Sequence, residues 1–146
     1  MSVTTHTVTH TPTVTAASAI AQPTGSLRRA TVMAGLVGAA ITAAAAAAVH
    51  AAGVTFEVEG EMIPILGFAQ MTFIGAVLGG VLLAVLNRRS SSARRRFVQV
   101  AIALTALSCV PSITMPDDVG SQIALVALHV LAAAIIVPVL TRHARS

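Results

Sequence analysis

The side chains with the most chemical capacity in this chain lie inside apolar runs. His129 falls near the middle of an uncharged stretch over 119–140, with Gln122 two helical turns earlier on the same face. Thr105, Ser108 and Ser112 form a stripe at helical spacing in the preceding run, and Gln70 lies about a turn outside the middle of the one before that. Antiparallel helices could gather Gln70, Thr105, Ser108, Gln122 and His129 into one buried polar cluster. An imidazole in such a place could respond to protons or bind a ligand. The plainer outcome is a neutral His hydrogen-bonded to a Thr or Gln, locking helix register. The plainer one is expected.

Other chemistries lack their parts. His50 sits at the outer end of the first apolar run, roughly 13 Å from its middle at 1.5 Å per residue, too far to share a metal or haem with His129. Cys109 is the one cysteine, so there is no intramolecular disulfide, and with His129 it supplies only two of the ligands a closed zinc site needs. His6 and His10 lie in a Thr-rich tail. No metal and no cofactor are expected. No His-Glu-x-x-His occurs, no carboxylate falls inside an apolar run, and nothing around Ser108 resembles a nucleophile elbow. The chain therefore reads as no enzyme, and it lacks the intrahelical carboxylate of a proton-coupled multidrug carrier.

The elements that must hold these residues follow from composition and charge order. Of 146 residues, 55% are hydrophobic and 10% charged, with a mean hydropathy of +0.86. Soluble domains carry about a quarter charged residues, and a 14.8 kDa sphere cannot hide this much apolar surface. An integral membrane protein is indicated. Four apolar runs, 30–52, 63–86, 97–113 and 119–140, approach or exceed the roughly 20 residues that cross a hydrocarbon core. Pro64 suits the first turn of the second run, and Asp117 or Asp118 the cap of the fourth. Short connections over 53–62, 87–96 and 114–118 force neighbours antiparallel, so the fold class is an all-α up-down bundle of four transmembrane helices. Residues 1–27, with Pro12, Pro23 and Gly25 among Thr and Ser, read as a disordered cytoplasmic tail before a transmembrane domain over 28–143.

The formal charge is +4, every basic residue is Arg, and the signs alternate between successive connections. Arg28, Arg29, Arg88, Arg89, Arg94, Arg95, Arg96, Arg142 and Arg145 fall at one membrane face. Glu57, Glu59, Glu61, Asp117 and Asp118 fall at the other as outer acidic loops. Positive residues near span ends stay cytoplasmic, which places both termini inside. A cleaved twin-arginine-type leader ending near Val49-His50-Ala51 competes for the first run, but that run exceeds the usual signal core, and a retained helix is expected.

Gly75-Ala-Val-Leu-Gly79 is a small-xxx-small element, expected to pack the second helix on the first, with homodimerisation as the alternative use. Arg88, Arg89, Arg94, Arg95 and Arg96 are expected to hold anionic headgroups of the inner leaflet. No aromatic residue interleaves them, so nucleic acid is not expected as a partner. Trp and Tyr are absent, leaving Phe56 and Phe97 as stand-ins for the interfacial aromatic belt.

Several stretches carry a family likeness: Gly60-Glu61-Met-Ile-Pro64, Gly67-Phe68-Ala69-Gln70, Arg88-Arg89, Ala103-Leu-Thr105-Ala-Leu-Ser108, Val110-Pro111, Asp117 and Leu128-His129. Through them the chain resembles an uncharacterised family of actinobacterial four-helix membrane proteins, catalogued only as a domain of unknown function. The resemblance implies the same four-span fold and a high-GC bacterial origin, and it supplies no activity. The expectation is a small polytopic protein of the bacterial plasma membrane, a structural or accessory component in a homo-oligomer or larger membrane complex. The alternative is a small-solute or proton-linked permease or channel built on the His129 cluster.

Overall fold

In a computed structural model, residues 24–58, 60–116 and 118–145 are described. Four helices account for most of them: α1 (Thr24–Ala51), α2 (Ile65–Arg89), α3 (Ala93–Thr114) and α4 (Val119–Thr141). All four are long and apolar enough to cross a membrane. Helices are the form such segments must take, because a backbone in lipid can satisfy its N–H and C=O groups only within itself.

The helices run further than the apolar runs do, chiefly toward the basic end. α1 starts at Thr24, so residues 24–27 are helical and not tail, while residues 1–23 lie outside the described residues. α2 continues through Arg88 and Arg89. α3 begins at Ala93 and carries Arg94–Arg96 in its first turns, which gives the shortest apolar run a helix of 22 residues. Arginine is a good helix former, and its long stem lets the helix continue while the guanidinium reaches the interface. Pro64, expected inside the first turn of α2, is instead its N-cap, extended at φ −66 and ψ 140.

Asp118 caps α4, accepting a hydrogen bond from the Ser121 N–H at 2.8 Å. Hydrogen bonding from Ser121 holds this carboxyl below its ordinary value of 3.8. A carboxyl that is more acidic when folded stabilises above its unfolded value and loses that stabilisation as pH falls through the folded one. The wild-type chain in detergent should therefore lose a few degrees of Tm on acidification below pH 4. Asp118→Ala should start a few degrees lower at pH 7 and lack that acid step. An identical acid step in the variant would show that the cap is not its source.

Between α1 and α2 the connection is more than a loop. β1 (Glu57–Val58) and β2 (Glu61–Met62) pair antiparallel, Glu57 opposite Met62 and Val58 opposite Glu61. Val58 also bridges to Pro116, which fastens the hairpin to the α3–α4 turn. Positive φ at Gly53 and Gly60 makes the reversals, and Phe56 adopts φ 53 beside them. That turn drives the Phe56 ring inward, where it is 1% exposed and lies 5.0 Å from the Phe68 ring centre. Phe97 is buried to the same degree at the other end. The two rings thus plug the bundle ends and do not form an interfacial belt.

Packing is uneven. α1 and α2 form the closest pair, α4 lies against both α1 and α3, and α3 meets α2 only lightly. The α1–α2 seam uses Thr72, Ala76, Gly80 and Leu83, a row at i, i+4, i+8 and i+11 that is buried throughout. A Cβ built on Gly35 would lie 2.9 Å from the Phe73 ring and 3.2 Å from Ala76. Gly75 and Gly79 are therefore not the seam. Gly79 faces Leu140 of α4, and a Cβ on Gly75 would meet nothing within 4 Å. Residues 75 and 76 are 100° apart on the helix, and α1 took the row with the larger set of small residues.

At the basic end, Asn87 ties α2 to the segment after α4. Its Nδ2 donates to His143 O at 3.0 Å, and its Oδ1 accepts from the Arg145 N–H at 2.9 Å. The Arg94 N–H in turn donates to Arg145 O at 3.1 Å. The segment after α4 thereby closes over the α2–α3 turn.

Candidate functional site

Because α2 and α3 diverge, a cleft of about 590 Å³ opens between them, floored by α4 and by Thr42 of α1. Phe97, Leu82, Val137 and Leu140 line its basic end, Thr72, Thr105, Ser108 and His129 line its middle beside Leu104 and Leu128, and Phe68 and Met71 line its acidic end. Small-molecule sites are typically 300–1,000 Å³, apolar, with a few placed polar groups, and the cleft has that size and make-up.

The α3 hydroxyls are turned onto their own helix. Thr105 Oγ1 donates to Ala101 O at 2.8 Å, Ser108 Oγ to Thr105 O at 2.8 Å and Ser112 Oγ to Ser108 O at 3.3 Å. A hydroxyl in an apolar span does this because the carbonyl one turn back is the nearest acceptor. His129 is different. Its Nδ1 lies 2.9 Å from Leu125 O and at a longer 3.4 Å from Ser112 Oγ. A carbonyl oxygen only accepts, so Nδ1 carries the proton of the neutral ring and Nε2 is left as an acceptor.

The expected cluster is only partly assembled. Thr105, Ser108 and His129 share the cleft, with Ser112 joined to His129. Gln70 is exposed and off the cleft, since residue 70 lies 200° around α2 from the buried row that starts at Thr72. Gln122 is too far along α4, about 10 Å from His129 at 1.5 Å per residue. Its Nε2 instead donates to Pro116 O at 3.3 Å, steadying the α3–α4 turn.

Thr42 and Thr72 escaped the sequence reading because they sit among alanines and glycines. Thr42 is 2% exposed, and its hydroxyl has no hydrogen-bond partner among the described residues. Thr31, Thr105 and Thr114 all bond the carbonyl four residues back, so the Thr42 hydroxyl stands apart from its kind. The available signal was its place at i+4 from Gly38 and i−4 from Ala46 on the buried face of α1.

Charge divides between the ends. Arg88, Arg89, Arg94, Arg95 and Arg96 are exposed at one end, where Arg94, Arg95, Ser92 and Arg145 border a shallow depression. Glu57, Glu61 and Asp118 lie at the other, and Glu59 and Asp117 lie outside the described residues.

Comparison with known proteins gives one match. Residues 22–146 match the model of a family described as "Family of unknown function (DUF6069)". No curated protein and no solved structure matches the chain.

Proposed function

Since the chain belongs to the DUF6069 family, whose description assigns no activity, we propose from its own geometry that it is an accessory component of the bacterial plasma membrane. In this reading its Arg-bearing end faces the cytoplasm and holds anionic lipid, and it acts through helix contacts within the bilayer. The absence of Lys beside nine Arg fits a high-GC bacterial genome, and the sorting of charge fits the positive-inside rule.

The observation that carries the accessory role is the bonding around His129. A solute path needs polar groups free to exchange partners along its length. Here the α3 hydroxyls face their own carbonyls, and the His129 Nδ1 proton is engaged by Leu125 O. The His129–Ser112 contact joins α4 to α3 and so secures assembly.

The test is proton flux in proteoliposomes loaded with a pH-sensitive dye, together with thermal stability in mild detergent. The wild-type chain should add no flux over empty vesicles. His129→Leu should leave flux unchanged and lower Tm by several degrees, the effect of losing about 1 kcal/mol of buried hydrogen bonding. Protein-dependent flux that His129→Leu abolishes at unchanged Tm would favour a proton-linked channel and overturn the reading.

A further inference from the structure

We infer that the depression between the start of α3 and the segment after α4 is a discrete site for the phosphate of one anionic glycerophospholipid, with Arg94, Arg95 and Arg145 as its ligands. The inference rests on the lipid-holding basic end proposed above and gives that end a defined pocket.

The three arginines border one recess, together with Ser92, Val98 and Gln99. Bringing like charges together is unfavourable, and here the main chain enforces it. Arg145 O accepts from the Arg94 N–H at 3.1 Å, and the Arg145 N–H donates to Asn87 Oδ1 at 2.9 Å. Two residues far apart in sequence are thereby pinned side by side. One guanidinium nitrogen of Arg145 also donates to Asn87 O at 3.3 Å, which orients the fork and leaves most of its N–H groups unspent. The described carboxylates, Glu57, Glu61 and Asp118, all lie at the opposite end.

The place of Arg94 and Arg95 on α3 adds to the imbalance. They stand in its first turn, which holds no acid. A helix N-terminus carries partial positive charge and favours anions, so these cations occupy the end where they are least welcome. A bound phosphate answers the guanidiniums and the helix end together, and guanidinium forks match phosphate oxygens two at a time.

The rest of the recess selects a lipid over a soluble anion. Val98 follows Arg94, and Gln99 follows Arg95, by one helical turn, so both lie roughly 6 Å deeper in a bilayer at 1.5 Å per residue. Ile102, one turn further and 64% exposed, carries the same face into the hydrocarbon. Charge, then amide, then apolar side chain is the order of phosphate, glycerol ester and acyl chain in a phospholipid, with Gln99 Nε2 placed to donate to an ester carbonyl. A free phosphate would use only the first turn. A zwitterionic head would bring its own cation beside three guanidiniums, so the site prefers an anionic one.

The experiment titrates the full chain in neutral-detergent micelles with phosphatidylglycerol, at about physiological ionic strength, and reads bound lipid by native mass spectrometry. The wild-type chain should bind phosphatidylglycerol about fivefold or more tightly than phosphatidylethanolamine. Arg145→Gln should weaken that binding about fivefold. Arg29→Gln makes the same charge change at the same end, but on α1 and away from the recess, and should weaken it less than about twofold. Asn87→Ala changes no charge and only frees Arg145, and should weaken binding about threefold through the cost of ordering that side chain anew. Equal losses in Arg29→Gln and Arg145→Gln, or undiminished binding by a folded Asn87→Ala chain, would mark diffuse attraction and overturn the site while leaving the lipid-holding end intact. Displacement of the lipid by an equal concentration of glycerol 3-phosphate would assign the recess to a soluble phosphate and overturn the lipid. A wild-type chain with no preference for phosphatidylglycerol over phosphatidylethanolamine would overturn both the site and the lipid-holding end.

Discussion

Gly80→Ala should destabilise the bundle by about 3 kcal/mol, a drop in Tm of roughly 6–12 °C in detergent, and Gly80→Leu should prevent assembly. A Cβ at 80 would overlap Thr31 Oγ1, lie 2.5 Å from Thr31 Cγ2 and stand 3.0 Å from Thr31 Cβ. Thr31 cannot simply rotate away. Its β-branch restricts χ1 in a helix, and its hydroxyl is bonded to Leu27 O at 2.9 Å. The strain must then be relieved by separating α1 from α2, whose closeness depends on the row Thr72, Ala76, Gly80. Helices in lipid associate through such close packing, since expelling lipid gives no hydrophobic gain. Gly75→Ala is the control. Its Cβ meets nothing, and replacing Gly in a helix interior gains up to about 1 kcal/mol. Equal losses at positions 75 and 80 would show that the seam has been placed on the wrong face of α2. Thermal unfolding followed by circular dichroism distinguishes the two outcomes.

Phe56→Ala should cost about 3 kcal/mol, the second large effect. The ring is 1% exposed and packs with Ala46, Ala124, Leu125 and Leu128, beside Phe68. Truncating a buried aromatic costs about 3–5 kcal/mol in water-soluble cores. Part of that is transfer from water, which shrinks where the alternative surroundings are partly lipid, so the lower end applies here. The cavity and lost dispersion contacts remain in full. Phe56 also holds φ 53, a conformation that costs a bulky residue and persists only where the surroundings enforce it. The hairpin does so through Ile63 N–H donating to Phe56 O at 3.1 Å and the bridge from Val58 to Pro116. Phe56→Leu should recover about half of the loss, because it restores volume but not ring contact with Phe68. The readout is Tm together with protease cleavage between residues 53 and 62, which should rise in the alanine variant. An alanine variant as stable as the wild type would mean that the ring does not anchor the acidic end.

The residues that the sequence made legible and those it hid differ in kind. The four spans were readable because apolar runs bounded by charge have few physical solutions in a bilayer. The Asp118 cap was readable too, resting on local spacing, whereas His129 meets Leu125 O and Ser112 Oγ and not the Thr or Gln expected for it. Gln70 was misassigned because its contribution depended on the rotation of α2, and residue 70 points away from the cleft that Thr72 lines. Phe56 and Phe97 were assigned to a belt on residue type alone, and both are interior.

Residue order alone was enough to give the number of apolar segments long enough to cross a bilayer, which charges share an end, and that successive helices run antiparallel. These depend on composition and order along the chain, and a bilayer converts them directly into geometry. Helix packing alone reveals that Ala76 and Gly80, not Gly75 and Gly79, meet α1, that α2 and α3 stand apart over a cleft, and that the Thr42 hydroxyl is buried unbonded beneath it. The reason is rotational. A 100° turn separates adjacent helix positions, a lipid-soaked helix is apolar on every side, and only the shapes of the neighbouring helices select which face turns inward.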